Sequence, residues 1–263
     1  MKKRLVFCTL ILGILFLPLT LSAEELDFTF LDAELPNHVQ SIEDQNTFFN
    51  RQKDQEFPDP QPVVETLINS TDVEIENPSL IELLNETKFN SSRLTFGYSS
   101  EVYLGQWPLA YHPDDTSVNW QYQKINSNTL DNLQGNRDLR LHYDQLEEMH
   151  VQGGLQNQVE STDQVMDMIL SKVNNDIDLP LGYRAVFGKN TRKNTDFTVE
   201  KSKVGKLDTY AAAVNAQGKV TYGQVYLRSS GRKQELIVKN VTEQSVKAWI
   251  PVQDYITFSF SDE

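Results

Sequence analysis

The strongest constraint on the fold lies in the last third of the chain, where short runs rich in apolar and β-branched residues are separated by turn residues. Leu207–Asn215 and Lys219–Arg228 flank Ala216-Gln217-Gly218, which predicts a hairpin turn. Ser229-Ser230-Gly231-Arg232 predicts a second turn. Three further strands are predicted after it: Glu235–Val241, Ser245–Val252 and Ile256–Phe260. Because strands about ten residues apart with turns between them favour sequential pairing, we expect an antiparallel meander.

Helical patterns occur mainly before this meander. Thr162–Asn174 carries a single apolar stripe, with Ser161 or Thr162 as the predicted cap. Val63–Asn69 and Ser79–Glu86 predict short helices. Arg137–His150 fits either a helix or a strand, and we predict a helix for its second half. Strands are also expected early in the domain, at Leu94–Tyr98, Glu101–Leu104 and Val118–Lys124. The predicted class is therefore α+β, with a few helices before the C-terminal meander.

The first 23 residues have the pattern of a secretory signal peptide. Lys2, Lys3 and Arg4 precede an uncharged apolar run, and Pro18 and small residues up to Ala23 follow it. A retained membrane anchor is the alternative, but Pro18 interrupts a run that is already shorter than the roughly 20 residues of a spanning helix. We expect cleavage after Ala23, or after Ser22.

Residues 24–62 differ from the rest of the chain and predict an extension. They are acidic and contain Pro36, Pro58, Pro60 and Pro62, while their phenylalanines argue against full disorder. We interpret this segment as a strap that lies on a single domain formed by residues 63–263. The only cysteine, Cys8, falls in the leader, so disulfides and thiol chemistry are not expected in the processed chain.

Charge is distributed unevenly along the sequence. The full chain has a formal charge of −13, and removal of the leader's three basic residues leaves 21 basic against 37 acidic residues. Against this background, residues 184–206 hold seven cations and only Asp196 and Glu200 as anions. The cations are Arg184, Lys189, Arg192, Lys193, Lys201, Lys203 and Lys206. This basic segment is the predicted binding site, either for an external polyanion or for the acidic strap; an ordinary solvated loop is the third reading.

Familiar catalytic and cofactor motifs are absent from the sequence. Gly182 and Gly188-Lys189 lack the spacing of a phosphate-binding loop, so no nucleotide is expected. On a helix His142 and His150 would lie about 12 Å apart, too far to bind one metal ion. We therefore expect no metal and no cofactor. Nucleic-acid binding is also not expected, given the net negative charge.

Two segments of the chain resemble a known family. Gln134–Tyr143 and Tyr183–Asn190, together with the chain length and the lysine-rich leader, resemble the YfkD-like family of exported Bacillus proteins. The resemblance implies export and assigns no activity or site residue.

The sequence thus favours a non-enzymatic envelope or interaction protein of a Gram-positive cell, secreted or wall-associated. Its expected partners are an anionic wall polymer or a membrane surface. The alternative is a wall-acting hydrolase, because two carboxylates for glycoside cleavage need only meet in space.

The position of the mature amino terminus tests the leader. Mass spectrometry of protein recovered from culture medium or from the wall fraction should find Glu24 first, or Ala23. Material that is membrane-bound and still begins at Met1 would show instead that the leader is an anchor.

Overall fold

The structure is a computed structural model that describes residues 35–50, 57–87, 99–231 and 233–263, and the backbone of 28–30. The predicted leader and the predicted strand Leu94–Tyr98 lie outside these residues. Three helices are described: α1 (Pro62–Ile68), α2 (Pro78–Glu86) and α3 (Thr162–Asp176). None of the described helices is long and apolar enough to cross a membrane.

The described part of the chain is mostly β, and all its strand pairs are antiparallel. The strands are β1 (Phe28–Phe30), β2 (Val39–Ser41), β3 (Ser99–Asp131), β4 (Leu139–Asp144), β5 (Met149–Gln152), β6 (Gly154–Leu155), β7 (Arg184–Phe187), β8 (Arg192–Val199), β9 (Val204–Ser230) and β10 (Lys233–Asp262). The main sheet has the order β1-β3-β9-β10-β2, and β6 also pairs with β10. Two separate ribbons, β4–β8 and β5–β7, complete the fold.

Three unusually long strands form the centre of the main sheet. β3 has 33 residues, β9 has 27 and β10 has 30. A straight strand of 30 residues would span about 100 Å, but bulges interrupt the register of both pairs. The sharpest irregularity faces Ala212, because residues 120–122 of β3 and 252–255 of β10 are both inserted opposite this one residue. Extra residues on both neighbours bend the sheet at this point.

The core is divided among three clusters along β9. Val214, Val220 and Tyr222 face α3, whose Val165, Met168, Ile169 and Val173 are buried against the sheet. Val225 and Leu227 point to the opposite face, where α1 and α2 pack. Near the other end, Leu207 and Ala211 pack against the two small ribbons. One strand therefore carries parts of all three clusters.

The predicted turn at Ala216-Gln217-Gly218 is wrong. These residues lie inside β9, where they pair with Val246–Ala248 of β10 and with residues of β3. The glycine serves another purpose: a Cβ atom on Gly218 would lie 2.2 Å from the His112 carbonyl oxygen and 2.7 Å from the Tyr111 ring. A glycine inside a strand often marks a close approach of this kind. The second predicted turn is confirmed, since Gly231 has a positive φ between β9 and β10.

The residues predicted as a meander form one long hairpin, β9 and β10. The described fold contains more strand and less helix than the predicted α+β class. The helix predicted in the second half of Arg137–His150 is also wrong, because β4 and β5 occupy this region. Leu139–Asp144 is a strand, as the alternation of Leu139, Leu141 and Tyr143 indicates, because one face of the strand is buried when it pairs with β8. The helix Thr162–Asn174 is confirmed as α3, but Ser161 has a positive φ and its side chain does not cap the helix.

Residues 39–50 of the predicted strap are attached to the domain by polar contacts. β2 pairs with Tyr255–Thr257 of β10. The side-chain amides of Asn46 and Asn50 both donate to one carboxylate oxygen of Asp254, over 2.7 and 2.9 Å, and to the Val186 carbonyl oxygen. Both Asn50 and Asp254 are buried. This part of the strap is therefore an integral element of the fold.

Replacement of Asn50 tests this attachment. Asn50→Ala removes two donors and also the oxygen that accepts from the Val186 amide over 2.9 Å. Because a buried carboxylate then loses one donor and Val186 loses its acceptor, we expect the free energy of unfolding in urea to fall by about 2–4 kcal/mol. Asn194→Ala, on the exposed face of β8, is the control and should change it by no more than about 0.5 kcal/mol. Equal effects of the two changes would contradict the anchoring role.

Candidate functional site

The structure divides the basic segment between two ends of a strand. Lys189, Arg192 and Lys193 lie at the start of β8, and Lys201, Lys203 and Lys206 lie beyond its end. Since β8 has eight residues, about 23 Å of extended chain separates the two groups. Arg184 stands apart at the start of β7. The seven predicted residues therefore do not form one cluster.

Two of the three cations beyond β8, Lys203 and Lys206, are paired with carboxylates within the domain. Lys203 contacts Glu200 over 3.1 Å and Asp262 over 3.2 Å. Lys206 lies 3.0 Å from Asp208, which Lys124 also approaches to 2.7 Å. The hydrogen bond to Glu200, followed by that to Asp262, raises the pKa of Lys203 above its usual value. These two cations are thus already engaged with carboxylates.

Two other predicted residues hold parts of the fold together. The Lys193 ammonium group donates to the Ser41 carbonyl oxygen over 2.7 Å, which attaches the strap through a neutral group. An Arg184 N–H donates to Nδ1 of His150 over 2.8 Å, and His150 Nε2 lies 2.8 Å from Glu148. Because arginine can only donate, Nδ1 of His150 is the acceptor in this contact.

The exposed face of the β4–β8 ribbon carries two highly accessible cations. Arg192 contacts Asp144 through Nε and Nη2, over 2.9 and 2.8 Å. Arg140 on β4 pairs with Asp196, which also accepts from His142 over 2.7 Å. The arginine side chains are each 71% exposed, whereas the two aspartates are 34% exposed. The guanidinium groups are therefore the outer members of both pairs.

Sequence reasoning did not select Arg140, and it considered His142 only as a metal ligand, which the spacing to His150 argued against. Antiparallel pairing places His142 opposite Asp196 and Arg140 opposite Thr198. The hydrogen bond from Arg140, with a further contribution from His142, lowers the pKa of Asp196. The alternation of Arg140, His142 and Asp144 with apolar residues is the signal that could have placed these side chains on one exposed strand face.

Two lysines extend this face at its ends. Lys189 precedes β8 and Lys201 follows it, and both are exposed. In the described part of the chain neither ammonium group forms an ion pair. Together with Arg140 and Arg192 they form what we call the ribbon cation stripe: Arg140, Lys189, Arg192 and Lys201.

The structure also contains an open cleft of about 460 Å³ beside the C-terminal end of α3. Two carboxylates line it, Glu43 from the strap and Asp178 from the loop after the helix, with Tyr255 and Pro180 among the other lining residues. Two carboxylates in one cleft are the kind of arrangement that the hydrolase alternative requires. Within the described ranges, no group of three or more histidine, cysteine, aspartate or glutamate residues could hold a metal ion.

Comparison with known proteins identifies the relationship of the chain. The family model described as YfkD-like protein matches residues 36–263. The chain belongs to the YfkD-like family. The predicted resemblance is thereby confirmed. The uncharacterised protein YfkD of Bacillus subtilis strain 168 is 42% identical over 227 residues, which cover 86% of each chain. No solved structure matches the chain.

The matched region includes the strap from residue 36, both ribbons and the main sheet apart from β1. The ribbon cation stripe and the cleft beside α3 therefore both lie within the family domain. The name of the relative assigns no activity, so the function of this YfkD-like protein must be argued from its own residues.

Asp208 provides a test of the ion pairs beyond β8. Partial burial raises the pKa of this carboxyl group, but hydrogen bonds from Lys124, Ser127 and Lys206 outweigh burial and lower it overall. A lowered pKa means that the stabilisation is complete above about pH 4 and is lost as the pH falls through the folded-state value. We expect Asp208→Asn to reduce the free energy of unfolding by about 1 kcal/mol at pH 7, and the difference from the unsubstituted protein to close at lower pH.

Asp115→Asn, at an exposed position of β3, is the control for this pH dependence. Urea unfolding measured between pH 3 and pH 7 should show no such pH-dependent difference for it. A difference for Asp208→Asn that persists unchanged to the lowest pH would contradict the assignment.

Proposed function

We propose that this YfkD-like protein is a non-enzymatic binding protein of the cell envelope. It acts outside the cytoplasm, and its ligand is an anionic, phosphate-bearing polymer or lipid surface. The ribbon cation stripe is the contact surface in this proposal. The observation that supports it best is the exposure of Arg140 and Arg192, each twice that of its aspartate partner.

Ion pairing within the ribbon is compatible with ligand binding. Arginine has five N–H donors in a planar fork. Arg192 directs only Nε and Nη2 to Asp144, and Arg140 directs Nη1 to Asp196. The remaining donors are available for a phosphate group, which accepts hydrogen bonds from guanidinium groups in a bidentate manner. The aspartates hold the guanidinium groups in place and lower the ordering cost of binding.

Because the chain as a whole is negatively charged, only the ribbon cation stripe attracts a polyanion in this proposal. A strongly acidic protein gains no general attraction to a polyanion, so affinity must come from the stripe itself. Because the screening length at about 0.15 M salt is only about 8 Å, the carboxylates elsewhere oppose binding weakly. The predicted partner therefore binds in a salt-dependent manner, through a small number of cations.

Charge reversal on the ribbon tests the proposal. The variant Arg140→Glu, Lys189→Glu, Arg192→Glu should lose adherence to isolated cell walls and to anionic phosphatidylglycerol vesicles, measured by co-sedimentation. Binding of the unsubstituted protein should weaken sharply as salt rises to a few tenths molar. Lys193 is left unchanged because it holds the strap.

Lys233→Glu is the matched control, since this lysine is also highly exposed, with 76% of its side chain accessible, but lies in the hairpin turn region. It should leave adherence unchanged. If the control and the triple variant lose binding equally, the stripe is not the contact surface. Release of soluble wall fragments during the same incubation would contradict a purely binding role and favour the hydrolase alternative.

A further inference from the structure

A second surface lies on the main sheet, beyond the area that α3 covers. The even-numbered residues of β9 face α3 as far as Tyr222, and the same face continues with Gln224, Tyr226 and Arg228. α1 and α2 pack on the opposite face. From Tyr222 to Arg228 the strand extends about 20 Å.

Neighbouring strands widen this surface through their register. The residues paired with it on β3 and β10 are Glu101, Tyr103, Gln106, Pro108, Glu235, Ile237, Lys239 and Thr242. We call this surface the outer face of the hairpin. It contains aromatic rings, amides and fixed charges, and its aliphatic members are Ile237 and the buried Pro108.

Tyrosines from adjacent strands form the aromatic part of the face. The ring centroids of Tyr103 and Tyr226 lie 5.0 Å apart. The Lys239 ammonium group lies 4.4 Å from the centroid of Tyr226, whose hydroxyl donates to Gln224 over 3.2 Å. Tyr226 is therefore held in place on two sides, whereas Tyr103 is 53% exposed and presents its ring to solvent.

At its end nearest α3, the outer face of the hairpin is continuous with an open cleft of about 340 Å³. Its lining consists of Gln106, Glu160, Tyr222, Thr242, Glu243 and Gln244. The Tyr222 hydroxyl donates to the Glu160 carbonyl oxygen over 3.1 Å, which fixes the back of the cleft. Amide, hydroxyl and carboxylate groups thus surround a concavity that continues into the tyrosine pair.

This combination selects for one kind of ligand. Glu160 and Glu243 disfavour a polyanion in the cleft, and the scarcity of aliphatic side chains disfavours an apolar protein surface. Amides both donate and accept hydrogen bonds, which suits rows of hydroxyl or acetamido groups. Aromatic rings pack against flat apolar surfaces such as the C–H face of a sugar ring. We propose that the outer face of the hairpin is a binding site for a neutral oligosaccharide.

The site is independent of the proposed function. Its residues come from β3, β9, β10 and, for Glu160, the segment before α3, whereas the ribbon cation stripe lies on β4, β8 and the adjoining turns. Binding of a neutral sugar should therefore change little with salt and should survive the triple charge reversal on the ribbon. A protein with both sites would hold a glycan and an anionic ligand at the same time.

Titration with neutral oligosaccharides tests the inference. The protein as recovered from the producing cells is titrated by calorimetry with tetramers of N-acetylglucosamine and of β-1,4-linked glucose. We expect at least one tetramer to bind with a dissociation constant of about 1 mM or below. Tyr103→Ala should weaken that binding about tenfold or more, whereas Tyr103→Phe, which keeps the ring, should retain it.

The chain offers a closely matched control. Val102 is the preceding residue of β3, is 54% exposed, and points to the opposite face of the strand. Val102→Ala should bind as the unsubstituted protein does. Absence of binding to both tetramers would overturn the proposal, as would equal losses in Val102→Ala and Tyr103→Ala. Binding that disappears with salt or with the ribbon variant would assign the sugar to the cation stripe instead.

Discussion

Most of this structure depends on the pairing of β9 with β3 on one side and β10 on the other. The register extends along nearly the whole of β9 in both pairs, so the backbone hydrogen-bonding groups of this strand are satisfied over most of its length. Helix α3 packs on one of its faces, and α1, α2 and the ribbons pack on the other. A disturbance of β9 would therefore reach all three core clusters. The run Ala211–Ala213 is buried at the bend, where small side chains allow the layers to approach.

Long strands carry a risk that the protein limits by capping the edges of the sheet. Exposed edges offer unpaired backbone groups to other chains. Here Ser70 Oγ accepts from the Leu236 amide, the Trp107 indole donates to the Leu104 carbonyl oxygen, and the Asn77 amide donates to the Pro108 carbonyl oxygen. Side-chain contacts from Ser70 after α1, from Asn77 before α2 and from Trp107 of β3 itself thus satisfy some backbone groups without additional strands.

Residue composition and strand pairing explain different members of the ribbon cation stripe. Composition correctly indicated that residues 184–206 are unusually basic, and this remains the origin of Lys189, Arg192 and Lys201 in the stripe. The same composition could not show that Lys203 is held by Asp262 of β10 and Lys206 by Asp208, which lies on the same strand just outside this segment. Nor could it add Arg140, since that residue joins the stripe only through the pairing of β4 with β8.

The residues alone predict the helix at Thr162, the antiparallel character of the last third and membership of the YfkD-like family, because each depends on local periodicity or residue identity. Tertiary structure alone decided that Gly218 lies in a strand instead of a turn and that Leu139–Asp144 is extended. In both places two local conformations were compatible with the residues. The choice came from partners distant in the chain, strands β3 and β10 for the glycine and strand β8 for the second segment. Burial against those partners outweighs the small differences in local preference.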